Sequence, residues 1–191
     1  MKQQQRHVLL VSLIVVLGVL LDQVVKMLVV SHMDLYEDIA LTPWFHLCYI
    51  LNDGMAFGVE WFDKLALTLF RLAAVGALGW YLHRLIWQRP ARTSYLATIA
   101  FVTAGALGNI LDCVFYGKLF QGSEWMYGKV VDMLYFPLIH NSAGEVLFFR
   151  PVFNVADSYI TCAVIVILLF FTKDLNQSLD NGERAKGEGR K

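Results

Sequence analysis

Four long apolar segments restrict this chain to folds that a lipid bilayer can hold. They cover about residues 8–30, 65–87, 94–113 and 152–172. A transmembrane helix needs about 20 mostly apolar residues, so each segment predicts one membrane-crossing helix. Hydrophobic residues make up 57% of the 191 residues, which is typical of an integral membrane protein. We expect one integral membrane domain, 1–172, followed by a disordered cytoplasmic tail, 173–191, that is rich in Gly, Lys and Glu.

The first segment also fits a cleaved signal peptide, because Lys2 and Arg6 precede its apolar run. No small-x-small cleavage site follows, however. The apolar character continues past Asp22 and Lys26 as far as Val30. These features favour a helix that is retained in the mature protein.

The distribution of basic residues predicts how the helices are oriented. Residues 31–62 contain no Lys or Arg, whereas the link near 84–92 carries three arginines and the tail is basic too. Positive charge in short loops favours the cytoplasmic side. We therefore expect both termini and the 88–93 link in the cytoplasm, with 31–64 and 114–151 outside.

The outer segments contain strand-like runs. Phe45–Leu51 and Met55–Phe62 flank Asn52-Asp53-Gly54, which is a strong turn signal, and 145–149 could supply a further short strand. The expected fold is therefore an all-α membrane protein with four transmembrane helices, a small extracytoplasmic β-sheet and an outer lid segment.

Charge, cysteine and histidine usage exclude several classes of function. The 16 basic and 16 acidic residues balance, which argues against a nucleic-acid partner held by bulk electrostatics. Cys48, Cys113 and Cys162 fit neither a disulfide framework nor a closely spaced metal site, although a Cys48–Cys113 bridge is an alternative. The five histidines form no His-x-x-x-His or Glu-x-x-His pattern, so a metalloprotease is not expected.

Two aspartates stand at the outer edge of the apolar segments. Asp132 ends the run Gly128-Lys-Val-Val-Asp, and Asp157 lies at the mouth of the last apolar segment. A carboxylate at membrane depth is costly and by default marks a functional site. Helix capping would explain Asp157 alone. Two carboxylates that meet can perform acid/base catalysis, so we interpret the chain as a membrane-embedded aspartic peptidase.

Further polar residues are predicted at the same depth. Asp22 and Lys26 are four residues apart on one helical face, and we interpret them as a structural ion pair. Asn109 and Asp112 are three residues apart, a spacing that Asn154 repeats ahead of the second aspartate. A structural hydrogen-bond network and contact with substrate both explain this pattern.

Two other classes of function compete with the peptidase. A small proton-coupled transporter also uses intramembrane Asp, Lys and Arg as a relay, but no inverted repeat is visible here. A non-catalytic membrane scaffold is the second alternative. It would tolerate the replacement of either aspartate by asparagine, whereas a peptidase would not.

Five blocks, in chain order, resemble the motifs of the lipoprotein signal peptidase (signal peptidase II) family. They are Asp22–Lys26, Asn52–Gly58, Gly105–Asp112, Gly128–Asp132 and Phe153–Asp157. The resemblance implies an aspartic endopeptidase that cuts a prolipoprotein just before a cysteine carrying diacylglycerol. It implies that Asp132 and Asp157 are catalytic, and that the pocket is shaped by Asn52, Gly54, Asn109, Asp112 and Asn154.

The same resemblance implies the partners and the location. It implies prolipoprotein substrates with diacylglyceryl-cysteine, membrane lipids around the enzyme, and no metal or cofactor. We expect a multi-pass monomer in the bacterial cytoplasmic (inner) membrane, with its active site at the extracytoplasmic face and no nucleic-acid partner.

The sequence departs from the family pattern at two places. The family usually has arginine directly after the last aspartate of the third block, where this chain has Cys113. Arg71 or Lys118 is expected to replace that arginine as the partner of the aspartate. The stretches 118–127 and 137–151 are longer than usual, and we expect them to enlarge an outer lid.

Overall fold

A computed structural model describes residues 2–54, 63–88, 91–140, 146–148 and 151–179. The predicted strand at Met55–Phe62 lies outside these ranges. In chain order the elements are α1 (Gln3–His32), β1 (Asp38–Thr42), β2 (Phe45–Asn52), α2 (Lys64–Trp87), α3 (Thr93–Leu111), a π-helical turn (Asp112–Tyr116), α4 (Gly117–Phe120), β3 (Val130–Tyr135), β4 (Ile139–His140), β5 (Val146–Phe148), α5 (Val155–Phe170) and α6 (Thr172–Leu179).

Each of the four predicted spans contains a helix. Among the described residues, α1, α2 and the segment Thr93–Phe120 are long and apolar enough to cross a membrane. The last span is shorter than predicted, because α5 has 16 residues and ends at Phe170. It passes the same test only together with α6, and the two helices are bent by 87°.

The chain is ordered beyond the predicted start of the tail. We predicted disorder from residue 173, and this is wrong for residues up to Leu179, which form α6. Ser178 is buried and its hydroxyl lies 2.5 Å from the Tyr81 hydroxyl of α2. Leu175 packs against the core formed by the helices. These contacts stabilise a segment whose polar composition indicated a solvated tail, and residues 180–191 lie outside the described ranges.

A three-stranded antiparallel sheet, ordered β1-β2-β3, forms at one end of the bundle. Its strand β2 corresponds to the predicted Phe45–Leu51 strand, and Ile50 on β2 pairs with Asp132 on β3. Val131 and Met133 of β3 are fully buried, because they pack in one cluster with residues of α1. The predicted small sheet is thus confirmed, and it places Asp132 where it meets the helices.

A separate two-stranded sheet pairs β4 with β5. Strand β5, Val146–Phe148, falls within the short strand predicted at 145–149. Both strands belong to the 137–151 stretch that we expect to form a lid. The lid function of this stretch stays a prediction.

Small residues allow α3 to pack closely against α1 and α5. A Cβ added at Gly18 of α1 would lie 2.9 Å from the Cβ of Ala104, and one at Gly108 would lie 3.1 Å from the Cβ of Ala156. A Cβ at Gly105 would collide with the carbonyl oxygen of Ala156. Small residues at such crossings are typical of membrane helices, where close van der Waals packing drives association.

We expect Gly105→Ala to destabilise the bundle by about 1–3 kcal/mol, because the new methyl group overpacks the crossing of α3 and α5. Thermal unfolding in detergent measures the effect as a lower Tm. Gly76→Ala is the matched control, because a Cβ at Gly76 on α2 meets nothing within 4 Å. Equal Tm values for the two variants would contradict this account of the packing.

Candidate active site

The two candidate catalytic aspartates lie on neighbouring elements. Asp132 is in β3, and Asp157 is in the first turn of α5. Leu134 of β3 forms a backbone bridge with Phe153, its N–H donating to the Phe153 carbonyl at 2.7 Å, and this bridge sets the start of α5 beside the strand. Asn154 then caps α5, its Oδ1 accepting from the backbone N–H of Asp157 at 2.9 Å.

Three asparagine amides donate to the two carboxylates, and two of them, Asn154 and Asn109, connect the carboxylates. Asn52 Nδ2 donates to Asp132 Oδ2 at 2.8 Å, and Asn154 Nδ2 donates to Asp132 Oδ1 at 2.7 Å. Asn109 Nδ2 donates to Asp157 Oδ1 at 2.7 Å. Asn154 Nδ2 also lies 3.0 Å from Asn109 Oδ1, which closes the chain. The structure therefore brings five of the predicted site residues into one hydrogen-bonded network.

Burial gives Asp132 a pKa that suits proton transfer at neutral pH. Its side chain is 1% exposed, and this burial raises the pKa of Asp132 to about 7. The charge of Asp157 raises the pKa further, while the hydrogen bonds from Asn52 and Asn154 oppose the rise. A carboxyl group with a pKa near the working pH can both accept and donate a proton, so the pair is suited to acid/base chemistry.

A buried ionic cluster lies behind the carboxylates. Lys26 Nζ is 2.9 Å from Asp22 Oδ2 and 2.9 Å from Asp112 Oδ2, and all three side chains are fully buried. The predicted ion pair between Asp22 and Lys26 is therefore present, with Asp112 as a third member. We expected Arg71 or Lys118 beside Asp112, and the structure corrects this: its cationic partner is Lys26. Lys118 is 3.5 Å from Glu124 instead.

The ionic cluster holds the elements that carry the candidate catalytic residues. Asp112 Oδ2 accepts from the backbone N–H of Val131, next to Asp132, at 3.0 Å. Asp22 Oδ1 accepts from the backbone N–H of Ala156, next to Asp157, at 2.9 Å. Asp112 thus acts on β3 through the backbone, and it makes none of the side-chain contacts that join the two candidate acids.

The sequence analysis missed one member of this network, Gln23, and one contact, between Lys26 and Asn109. Gln23 Nε2 lies 3.0 Å from Asp112 Oδ1 and 3.1 Å from Asp22 Oδ2, and Lys26 Nζ donates to Asn109 Oδ1 at 3.1 Å. Gln23 lies inside the first sequence block, Asp22–Lys26, and this position is the sequence feature that could have identified it. Its partners are distant in the sequence and are set by helix packing, so the local spacing of residues does not indicate them.

The Asn52–Gly54 turn brings the last predicted pocket residue to the site. Gly54 has φ +72°, and its N–H donates to Asn52 Oδ1 at 2.7 Å. Its carbonyl oxygen accepts from Arg71 Nη2 at 3.2 Å, and Arg71 Nη1 lies 2.9 Å from Cys113 Sγ.

Cys48 and Cys113 are both free, which excludes the bridge considered from the sequence. Within the described ranges, no group of three His, Cys, Asp or Glu side chains is placed to hold a metal ion.

The chain is similar to known proteins over most of its length. Residues 14–173 match the family described as signal peptidase (SPase) II. The chain belongs to the signal peptidase II family. Two members named lipoprotein signal peptidase are similar over most of their length. The one from Porphyromonas gingivalis (strain W83) is 36% identical, covering 94% of this chain and 89% of that protein. The one from Amoebophilus asiaticus is 33% identical, covering 89% and 80%.

Solved structures share the fold of this chain. Two structures of a bacterial membrane enzyme, obtained by the in meso method at 2.3 and 1.9 Å resolution, each superpose with a TM-score of 0.64. They are 26% and 27% identical to this chain and cover 87% and 86% of it. The family match and the two named relatives confirm the family expected from the five sequence blocks. The apolar helices and the structural neighbours show a multi-pass membrane protein.

We expect Lys26→Met to destabilise the fold by about 3–5 kcal/mol, because it leaves two buried carboxylates without their cation. Unfolding in detergent, followed by tryptophan fluorescence, measures the loss. The control introduces Lys26→Met together with Asp22→Asn and Asp112→Asn, which removes the uncompensated charges. This triple variant should be more stable than the single variant. A single variant as stable as the parent would refute the role given to the cluster.

Proposed function

We propose that this chain is an aspartic endopeptidase that removes the signal peptide from prolipoproteins. Membership of the signal peptidase II family supports a protease of the lipoprotein pathway and argues against the transporter and scaffold alternatives. The observation that carries the aspartic mechanism is the hydrogen-bonded chain from Asp132 through Asn154 and Asn109 to Asp157.

The mechanism starts from one proton held by two acids. Interacting carboxylates titrate as a pair, and the raised pKa of Asp132, to about 7, keeps a proton on the pair up to neutral pH. The ionised member takes a proton from water as the water attacks the scissile carbonyl carbon. The protonated member donates to the carbonyl oxygen, and a proton later passes to the leaving amine.

The asparagine amides that surround the two acids have fixed orientations. An ammonium group only donates hydrogen bonds, so Asn109 must turn Oδ1 towards Lys26 and Nδ2 towards Asp157. The cap on α5 fixes Asn154 in the same way, with Oδ1 on the backbone N–H and Nδ2 on Asp132. Both acids therefore receive amide donors whose orientation does not depend on the substrate, which is electrostatic preorganisation.

The pocket and the placement in the cell form part of the same proposal. Asn52, Gly54, Asn109, Asp112 and Asn154 shape the site, which faces outward in the bacterial cytoplasmic membrane. Arg84, Arg92 and Lys173, at the helix ends away from the site, support this orientation. The enzyme acts as a monomer with a single peptidase domain, which we extend from the predicted 1–172 to include α6, because α6 packs on α2.

We expect Asp132→Asn and Asp157→Asn each to lower cleavage by at least about 100-fold, because an amide can neither accept nor deliver the transferred proton. The assay uses purified protein in detergent with a diacylglyceryl-modified prolipoprotein and follows release of the signal peptide. Asp38→Asn is the control, since Asp38 lies in the outer sheet beside His46, away from the network. Near-normal cleavage by either dyad variant would remove that residue from the mechanism.

We also expect a prolipoprotein without its diacylglyceryl group to be cleaved poorly. Each buried methylene of an acyl chain contributes about 0.8 kcal/mol to membrane anchoring. Part of that binding energy positions the scissile bond, so its loss lowers kcat as well as raising KM. The measurement compares the two forms of one precursor under the same conditions. Equal kcat/KM for both would leave a broader membrane peptidase in place of a lipid-dependent one.

A further inference from the structure

Arg71 of α2 reaches across to two elements at the outer end of the bundle. Its Nη1 lies 2.9 Å from the Sγ of Cys113 in the π-helical turn, and its Nη2 donates to the carbonyl oxygen of Gly54 at 3.2 Å. Within the described ranges, no carboxylate forms an ion pair with this guanidinium. A half-buried arginine in a membrane helix is costly. The described groups that contact it are a thiol and a backbone carbonyl, so its contacts fix the geometry of the two elements that carry them.

The guanidinium lies directly against the Asn52–Gly54 turn. A Cβ on Gly54 would collide with Arg71 Nη2, and the left-handed φ of +72° also favours glycine there. Two lysines hold Asp53 in the same turn: Lys64 Nζ donates to its carbonyl oxygen at 2.7 Å, and Lys129 Nζ is 3.0 Å from its carboxylate. Three cationic side chains therefore hold this turn, and Arg71 is the one that contacts Gly54.

The turn is linked to Asp132 by two hydrogen bonds. The N–H of Gly54 donates to Asn52 Oδ1 at 2.7 Å, which turns the Asn52 amide so that Nδ2 faces the carboxylate. Nδ2 then donates to Asp132 Oδ2 at 2.8 Å. Asn52 is exposed, so little else packs around its side chain to hold it in this orientation. The Gly54 N–H belongs to the peptide whose carbonyl oxygen, on Asp53, is held by Lys64, and Arg71 holds the next carbonyl along the chain. The backbone conformation of Gly54, fixed from both sides, therefore decides whether Asp132 keeps this donor.

We propose that Arg71 is a positioning residue of the peptidase, which braces the Gly54 carbonyl against the Cys113 turn and so keeps the Asn52 amide on Asp132. This inference rests on the proposed function. The small side chain at position 113 is part of this arrangement. Cys113 is fully buried in contact with the guanidinium, and a larger side chain there would displace the guanidinium of Arg71.

The proposal predicts a change in the pH dependence of cleavage. The Asn52 hydrogen bond favours the ionised form of Asp132, so its loss raises the pKa of Asp132 above about 7. The other groups that face Asp132 are Asp157 from α5, Asn154 at its cap and Lys26 from α1, and these are unchanged. The rate then falls at a higher pH than in the parent enzyme, because the acid pair keeps its proton longer.

The experiment measures kcat, KM and the pH profile of Arg71→Gln with the diacylglyceryl-modified prolipoprotein. We expect kcat to fall by about 10- to 100-fold, as for a misplaced catalytic group, with the alkaline limb shifted upward and KM little changed. Arg84→Gln is the matched control on the same helix, where Arg84 lies over Trp80, and it should match the parent. A parental profile for Arg71→Gln, or a change in KM alone, would overturn the positioning role.

A second variant keeps the test decisive if Arg71→Gln unfolds. Arg71→Ala with Cys113→Arg returns a guanidinium from the other side of the contact, and we expect at least a ten-fold higher kcat than for Arg71→Ala alone. A folded double variant without recovery would refute the proposal. Activity in Asp132→Asn would instead refute the peptidase mechanism, so the two failures are distinguishable.

Discussion

The rest of the structure depends on one buried ammonium group. Lys26 Nζ stands between Asp22 and Asp112 with no exposure to solvent, and such a charge is tolerated only when its partners are in place. Those partners come from α1 and from the π-helical turn after α3, and they also accept backbone N–H groups, Asp112 from β3 and Asp22 from α5. Two helices, a strand and the start of a third helix must therefore converge before the lysine is satisfied.

Neutral amides separate this charged cluster from the candidate catalytic acids. Asn109 contacts Lys26 with its oxygen and Asp157 with its nitrogen. It therefore fixes the orientation of the Asp157 carboxylate without placing a full positive charge beside the two acids. A lysine in direct contact would hold a carboxylate ionised and prevent it from keeping a proton near pH 7. The layer of asparagines thus combines a rigid frame with an Asp132 carboxyl group whose pKa stays at about 7.

The sequence predicted the parts of the fold that depend on composition and local pattern. Hydropathy located the four helices, the Asn52-Asp53-Gly54 signal located the end of β2, and the ordered blocks identified the family. Strand β1 and strand β3 were not predicted, since β3 was interpreted only as a motif around Asp132. The pairing of Lys26 with Asp112, and of Arg71 with Cys113, depends on how distant helices pack. Local spacing carries no information on such contacts, and the same holds for α6, which is ordered by Tyr81.

The bend between α5 and α6 has a consequence for where hydrolysis takes place. A 16-residue helix rises about 24 Å, whereas the hydrocarbon layer is about 30 Å thick. In the orientation proposed above, we expect the 87° bend between α5 and α6 to mark the level at which the chain turns along the cytoplasmic surface. Asp157, in the first turn of α5, is then expected several ångströms below the outer boundary of the hydrocarbon layer. Water is scarce at such a depth, so we infer that the asparagines and carboxylates around the two acids also provide the polar path for the attacking water.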